Sequence, residues 1–194
     1  MEVVLLRHGE TAWNDEGRMQ GHAPVPLNDR GREQAHAAGA WLADEYAFDR
    51  VIASDLYRTR ETANLVSEYV DADVEYDANW RERSVGIYQG LTYEEMARRF
   101  PDFGMGPEAA SAYQKRPENG ESLVDVHERV MGGYESLEGD TTLVITHGGP
   151  IRLVLGHLKG LDIPTTMGQH SLSNCSVTTV VDGELEAENT TDWR

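Results

Sequence analysis

The sequence predicts an α/β fold, a three-layer α/β/α sandwich with a mostly parallel central sheet. Short apolar runs typical of buried strands alternate with longer segments whose apolar residues recur at helical spacing. Two of the strands are followed by a histidine and a glycine, at His8 and at His147. Open α/β sheets bind their ligands beyond the carboxyl ends of their strands, so both histidines are expected at a ligand-binding edge.

The first half of the chain alternates strand and helix signals. The predicted elements are, in order, a strand at 3–6, a Gly/Pro-rich loop at 17–27, a helix from 28 or 29 to about 46, a strand at 51–53 and a helix at 56–70. The strands are uninterrupted β-prone runs, and the helices carry apolar stripes. Asn28 or Asp29 can cap the first helix.

The second half continues the alternation and ends in a hairpin. The predicted elements are a short strand at 75–76, helices at 92–100 and 121–137, a strand at 142–146, a helix from 149 to about 160, and strands at 175–181 and 184–188. Pro101 ends the first of these helices, and Gly149-Pro150 begins the last with proline in the favoured first turn. Asp182-Gly183 is a hairpin-turn signal.

The whole chain, residues 1–194, is predicted to form one domain, since its length suits one substantial core and it contains no internal repeat. Between residues 101 and 120 the sequence is rich in Gly, Pro and Ala, with weak periodicity. We expect residues 92–120, called the lid segment below, to form a lid or surface excursion.

The composition is strongly acidic, with a net charge of −17 and a pI near 4.7. A field of that sign repels phosphate polymers, so neither nucleic acid nor an anionic membrane is an expected partner. No run of about 18 apolar residues and no signal-peptide pattern occurs, which favours a soluble cytoplasmic protein. The acidic, lysine-poor surface also suits a high-salt cytoplasm. The sequence leaves the oligomeric state open.

Arginine beside histidine suggests phosphate chemistry. A guanidinium holds a phosphoryl group bidentately, while an imidazole nitrogen attacks phosphorus and carries it covalently. Arg7 and Arg58 are the candidate clamps because each lies near a strand end. From their own segments alone, Arg58 is better explained as a solvated helix charge and Glu82 as a surface acid.

Neither redox chemistry nor a metal is expected. Cys175 is the single cysteine and lies in a strand-like stretch, where a buried apolar thiol is typical. His8 and His147 would suit a metal, but no His-x-x-x-His or cysteine cluster supplies further ligands. The remaining histidines are expected to be structural or on the surface, His22 being the least secure: His22, His36, His127, His157 and His170.

Seven motifs together carry a family resemblance. They are Leu6-Arg7-His8-Gly9-Glu10-Thr11 with Trp13-Asn14, Arg18-x-Gln20-Gly21, Pro26-Leu27 with Gly31 and Gln34-Ala35, Ser54-x-Leu56-x-Arg58 with Thr62-Ala63, Arg81-Glu82 with Gly86 and Gly90-Leu91, Gly120-Glu121-Ser122, and Thr146-His147-Gly148-Gly149-x-Ile151-Arg152. In their order and spacing the chain resembles the histidine phosphatase superfamily, in its phosphoglycerate mutase-like branch, over nearly its full length.

The resemblance implies a role for each matching residue and a phosphoglycerate mutase-like fold. His8 would be the nucleophile that becomes phosphohistidine, and Glu82 the general acid and base. The phosphoryl group would be held by Arg7, Arg58, Asn14, His147 and the Gly148 amide. Thr11, Gln20 and Gly21 would contact the substrate.

The implied activity is metal-independent hydrolysis of a small phosphorylated metabolite. A phosphoglycerate mutase, primed by a bisphosphoglycerate, is the alternative, because Glu82-Arg83 followed by Gln89-Gly90-Leu91 is similar to the mutase version. Hydrolysis is favoured because the lid segment is short and carries few positive charges, at Arg98, Arg99, Lys115 and Arg116. A catalytically silent phospho-ligand-binding protein is disfavoured because His8, Arg58 and Glu82 are all present.

Overall fold

The strands of the computed structural model, which describes residues 1–103, 112–169 and 171–194, form one central sheet. In the described residues they are β1 (Glu2–Arg7), β2 (Arg50–Ala53), β3 (Val74–Tyr76), β4 (Thr141–Thr146), β5 (Val177–Val181) and β6 (Glu184–Thr190), in the order β3-β2-β4-β1-β5-β6. The strands β1 to β4 are parallel, while β5 and β6 are antiparallel. The predicted mostly parallel sheet is confirmed.

The helices follow the predicted order with two additions. They are α1 (Ala12–Asp15), α2 (Asp29–Glu45), α3 (Tyr57–Val66), α4 (Tyr93–Arg99), α5 (Leu123–Glu135), α6 (Gly148–Leu158) and α7 (Ile163–Gln169). Neither α1 nor α7 was predicted from the sequence. Side-chain caps fix four of the starts: Asn28 accepts from the Gly31 N–H, while Thr11, Thr92 and Ser122 form capping boxes.

Two predicted boundaries were wrong for local reasons. Helix α3 ends at Val66 and not at residue 70, because Ser67 caps it and its hydroxyl donates to the Ala63 carbonyl at 2.8 Å. Strand β5 begins at Val177 and not at residue 175, because Cys175 has φ of +52°. That left-handed conformation breaks an extended strand.

Helices cover both faces of the sheet, which confirms the three-layer sandwich. On one face, Val4 and Leu6 of β1 pack with apolar residues of α2 and α3. On the other face, Val3 and Leu5 pack with apolar residues of α5 and α6. The strict alternation along β1 is what a strand buried on both sides requires.

The register of the sheet decides where the functional residues meet. Arg7 of β1 pairs with Thr146 of β4, and Ala53 of β2 pairs with Ile145 of β4. The residues that follow these three strands therefore emerge side by side at one edge. Isolated bridges connect Arg18 with Thr92, and Val85 with Gly120, so both ends of the lid segment are tied near this edge.

Part of the lid segment lies outside the described residues, at 104–111. Its described part contains α4 and a short 3-10 helix at Pro101–Phe103. Within the ranges given above, no helix has the length and apolar character needed to cross a bilayer. The single-domain organisation and the lid remain predictions.

Candidate active site

His8 leaves β1 at the sheet edge and is held there by the main chain. Its N–H donates to the Thr146 carbonyl at 2.9 Å, and its carbonyl accepts from Asn174 Nδ2 at 3.0 Å. The side chain is only 3% exposed. A Cβ on Gly9 would lie 2.4 Å from the Gly31 carbonyl oxygen, so a glycine is needed for this close approach.

The His8 ring is neutral at physiological pH, with its lone pair on Nε2. Nδ1 lies 2.7 Å from the Gly9 carbonyl oxygen, which can only accept, so Nδ1 carries the proton. Burial lowers the pKa of His8 well below its usual value, and the charges of Arg58 and Arg7 lower it further. A neutral imidazole with its lone pair directed into a site can act as a nucleophile.

Arg58, in the first turn of α3, has a buried side chain that contacts His8. It is 1% exposed, and its Nε donates to His8 Nε2 at 3.2 Å. Its Nη2 donates to the Gly21 carbonyl at 3.0 Å and its Nη1 to that of Ala23 at 3.5 Å. Burial lowers the pKa of Arg58 to about 10, so the guanidinium stays charged at neutral pH. The interpretation of Arg58 as a solvated helix charge is therefore wrong.

His147 follows β4 and lies beside His8, with the two ring centroids 5.1 Å apart. Its Nε2 is 2.9 Å from Ser54 Oγ, and its buried Nδ1 has no hydrogen-bond partner among the described residues. Burial lowers the pKa of His147 well below its usual value, and Arg58 adds to the effect. When Ser54 donates to Nε2, Nδ1 carries the proton and can donate to an anion.

Arg7 adds a second cation beside the start of α6. Its Nη1 donates to the Leu172 carbonyl, while its buried Nε has no partner within the described ranges. A Cβ on Gly148, the first residue of α6, would lie 3.6 Å from that Nε. Helix N-termini carry unpaired N–H groups and partial positive charge. The unpartnered donors and this helix start could therefore bind an anion beside His8.

Glu82 holds a carboxylate against the same helix start. Its Oε2 accepts from the Gly149 N–H at 3.0 Å and its Oε1 from the Arg83 N–H at 2.8 Å. Its charge opposes the burial that lowers the pKa of Arg7 and of Arg58, so it lies within electrostatic range of both. The interpretation of Glu82 as an isolated surface acid is therefore wrong.

The family resemblance implies phosphate or substrate contacts for four more residues, which lie around this site: Thr11, Asn14, Gln20 and Gly21. Asn14 Oδ1 accepts from the Thr11 N–H at 3.2 Å and from Asn174 Nδ2 at 3.3 Å, and no hydrogen bond in the described part of the chain uses its Nδ2. Thr11 is fully buried, with its hydroxyl 3.0 Å from Gln20 Oε1. Gly21 holds Arg58 through its carbonyl. Their contacts with a substrate stay predictions.

A family comparison now agrees with the geometry. The family model of the histidine phosphatase superfamily (branch 1) matches residues 3–189. The chain belongs to the histidine phosphatase superfamily. Members of this family are generally metal-independent. Among the described residues, no group of three His, Cys, Asp or Glu side chains is arranged to hold a metal ion.

Individual histidine phosphatase relatives carry both phosphatase and mutase-like names. The chain is 37% identical over 162 residues to phosphoglycerate mutase-like protein 4 of Arabidopsis thaliana, covering 78% of this chain and 68% of the relative. It is 31% identical over 164 residues to the uncharacterized phosphatase PhoE of Bacillus subtilis, covering 82% and 78%. The solved mycobacterial glucosyl-3-phosphoglycerate phosphatase in complex with VO3 superposes with a TM-score of 0.83 at 28% identity, covering 98% of this chain and 99% of that one.

Within this histidine phosphatase, one histidine expected to be structural lies at the site. His22 Nε2 donates to the Glu82 carbonyl at 2.8 Å. His36 is partly exposed beside the Tyr69 hydroxyl, and the His157 ring packs edge-on against Tyr134, both as expected. His127 is half-buried on α5, and His170 lies outside the described residues.

Three further residues lie at the site although no role there was predicted for them from the sequence. Ser54 contacts His147, Thr62 Oγ1 accepts from the Gly9 N–H at 3.1 Å, and Asn174 joins His8 to Asn14. Ser54 follows β2 directly, so the strand-end rule that found His8 applies to it as well. Thr62 belongs to a motif of the family resemblance, like Ser54, and Asn174 carried no such signal.

Cys175 was predicted correctly to be a buried apolar thiol. It is fully buried beside β1, and burial raises the pKa of the thiol to about 12. A thiol in that state is not a nucleophile at neutral pH.

Proposed function

We propose that this histidine phosphatase hydrolyses phosphomonoesters of small metabolites through a covalent phosphohistidine at His8. The proposal rests on the hydrogen-bond donors that surround His8 Nε2. A neutral, buried imidazole faces Arg58, and the unpartnered Arg7 Nε and His147 Nδ1 lie close by. Fixed donors around a nucleophile stabilise the charge of a transferring phosphoryl group.

The first step forms the N–P bond. The phosphoryl oxygens take up the donors of Arg7, Arg58 and His147, which frees His8 Nε2 from its hydrogen bond with Arg58. Nε2 attacks phosphorus, and the bond from phosphorus to the leaving oxygen breaks. Glu82, which takes up a proton when the negative phosphoryl group binds beside it, gives the leaving oxygen that proton. The alcohol leaves, and the Gly9 carbonyl accepts from Nδ1–H throughout, which stabilises the charge on the ring.

The second step returns the enzyme to its starting state. Glu82, now a carboxylate, takes a proton from a water molecule as its oxygen attacks phosphorus. The N–P bond breaks, inorganic phosphate leaves, and His8 is again neutral. Glu82 suits both roles because two main-chain N–H groups fix its carboxyl group.

Hydrolysis is favoured over mutase activity by the lid segment. A mutase must retain its substrate and keep water from the phosphohistidine. Of the four positive residues of the lid segment, Arg116 is paired with Asp125 of α5, and the Arg99 guanidinium lies over the Phe100 ring. These contacts leave few cations for the second charged group of a phosphoglycerate.

The setting of this activity is also a proposal. We infer a cytoplasmic enzyme that requires no metal and no primer, and whose partners include neither nucleic acid nor membrane. The net charge of −17 supports the absence of polyanionic partners. Activity is expected to survive EDTA, and its complete loss with EDTA would contradict metal-independent chemistry.

A panel of phosphomonoesters that includes 3-phosphoglycerate tests the proposed function. Both free phosphate and 2-phosphoglycerate are measured, with and without a bisphosphoglycerate primer. A phosphatase releases phosphate and forms no 2-phosphoglycerate. Formation of 2-phosphoglycerate with little phosphate release would establish the mutase alternative, and a protein that binds the esters without turnover would establish the silent alternative.

A further inference from the structure

One side chain of α5, that of Arg129, binds the main chain around Glu82. Arg129 Nη1 donates to the carbonyls of Asn79 at 2.8 Å and of Arg81 at 2.6 Å, and its Nη2 donates to the Glu82 carbonyl at 3.0 Å. A single guanidinium therefore binds three carbonyls within four consecutive residues. A planar fork of five N–H donors is suited to such a contact, and a lysine is not.

Glu121 of the Gly120-Glu121-Ser122 motif fixes Arg129 in this position. Its Oε1 accepts from Arg129 Nε at 2.9 Å and its Oε2 from Nη2 at 3.1 Å, a bidentate pair. Its Oε2 also accepts from the Ser84 N–H at 2.8 Å, and its own N–H donates to the Ser84 carbonyl at 2.9 Å. The chain is thus held on both sides of Glu82.

His22, in the loop before α2, reaches the same carbonyl. Its Nε2 donates to the Glu82 carbonyl at 2.8 Å, and its neighbours Gly21 and Ala23 accept hydrogen bonds from Arg58. The tripeptide 21–23 is therefore bonded to the phosphate-binding arginine through its main chain and to the general acid through the His22 side chain. It connects the two halves of the proposed chemistry.

We propose that His22 and Arg129 are positioning residues that set the place of the Glu82 carboxyl group relative to the phosphoryl pocket. Each contacts Glu82 through its carbonyl and not through its carboxyl group, which is bound by the N–H groups of Arg83 and Gly149. A general acid must lie within hydrogen-bond reach of the leaving oxygen, and a displacement of about 1 Å can cost on the order of 100-fold in rate. This assignment rests on the proposed function.

Two substrates of nearly equal shape separate positioning from folding. Phenyl phosphate has a poor leaving group that needs a proton, whereas p-nitrophenyl phosphate has a good one that needs little help. The measured quantity is kcat/KM, because it reports the formation of phosphohistidine and is not affected by the later hydrolysis common to both esters. Glu82→Gln provides the reference pattern, a large loss on phenyl phosphate and a small loss on p-nitrophenyl phosphate.

His22→Leu is expected to show the Glu82→Gln pattern in weaker form. Its kcat/KM for phenyl phosphate should fall by about 10-fold or more, with a change of about 2-fold or less for p-nitrophenyl phosphate. His22→Gln keeps an N–H donor at similar reach and should recover most of the loss. Arg129→Lys keeps the charge but loses the planar fork of N–H donors, and it should show the same selective loss on phenyl phosphate. The double variant Glu82→Gln with His22→Leu should have nearly the same kcat/KM as Glu82→Gln alone, because both changes impair one group.

The control is His36→Leu, which removes a partly exposed histidine of α2 and should leave kcat/KM for both substrates unchanged. Equal losses of His22→Leu on the two substrates, or no loss, would overturn the positioning role while leaving the phosphatase assignment intact. A wild-type protein that releases no phosphate from either ester would contradict the proposed function itself.

Discussion

At the scale of single residues, His8 and His147 are buried imidazoles that the fold keeps neutral. Burial lowers the pKa of both, and neighbouring arginines add to the shift. An unfolded histidine takes up a proton below about pH 6.5, while these folded ones do not. The free energy of unfolding therefore falls as the pH decreases below that value, because the unfolded chain binds more protons.

His8→Asn removes one of these neutral histidines and keeps a polar side chain near the Gly9 carbonyl. Between about pH 7.5 and about pH 5.5, we expect wild type to lose roughly 1 kcal/mol more unfolding free energy than the variant. Urea unfolding of both proteins at the two pH values measures this difference. The carboxylates titrate alike in both proteins, so parallel losses would contradict a neutral His8.

The Glu82 carboxyl group lies directly against Gly149. A Cβ at this position would lie 2.2 Å from Glu82 Oε1, and the Gly149 N–H donates to Glu82 Oε2. Gly149→Ala should displace the carboxyl group and lower kcat/KM for phenyl phosphate by about 10-fold or more, with a smaller effect on p-nitrophenyl phosphate. The two assays measure the ratio, and an unchanged ratio would place the acid elsewhere.

At the scale of elements, two adjacent glycines of α5 (Leu123–Glu135) differ in their surroundings. Gly132 has open space where a Cβ would be, whereas a Cβ on Gly133 would lie 3.0 Å from Asn79 Cβ and 3.4 Å from Trp80 Nε1. Alanine favours a helix over glycine by about 0.5–1 kcal/mol. We expect Gly132→Ala to raise the free energy of unfolding by that amount. Gly133→Ala should have a lower free energy of unfolding than Gly132→Ala.

Urea unfolding of these two variants gives the comparison, with the phenyl phosphate assay as a second measurement. Gly133→Ala should also impair the general acid, because Asn79 and Trp80 precede Glu82 in the segment that Arg129 holds. Gly132→Ala should leave activity unchanged. Two variants of equal stability and activity would show that α5 does not pack against this segment as described.

The elements that could be predicted are those with a strong local pattern. Strands β1 and β4 are continuous apolar runs, and α2 carries an apolar stripe after its Asn28 cap. The short helices α1 and α7 span only one or two turns, too short for a periodic signal. The start of β5 depends on the φ of Cys175, which its neighbours in space impose and the sequence pattern does not reveal.

At the scale of the whole molecule, the net charge of −17 makes the folded chain repel itself. Salt screens this repulsion, with a Debye length of about 10 Å at 0.1 M and about 3 Å at 1 M. We expect the free energy of unfolding to rise by about 1 kcal/mol or more between roughly 0.1 M and 2 M KCl.

Urea unfolding in KCl tests this expectation, and KCl is preferred to sulfate because sulfate also strengthens apolar burial. Equal stability at both salt concentrations would remove the argument for a high-salt habitat. It would leave the proposed chemistry untouched, since the active-site groups are buried and little screened.

More of the candidate site residues than of their contacts could be named from the sequence. Arg7, His8 and His147 follow or end neighbouring strands, so the sheet itself brings them together. Arg58 and Glu82 needed the family resemblance, because their own segments also suit surface charges. The Arg129 and His22 contacts with Glu82 join segments far apart in the chain, and no local pattern records such a pairing.

The central claim is that His8 carries the phosphoryl group. Glu82→Gln mixed with p-nitrophenyl phosphate should form phosphohistidine but hydrolyse it slowly, so an alkaline quench should trap it. We predict one nitrophenol released per enzyme in a burst and one phosphoryl group on the peptide that contains His8, with neither in His8→Asn. Burst release without a phosphoryl group on His8, or turnover by His8→Asn at the wild-type rate, would contradict the mechanism.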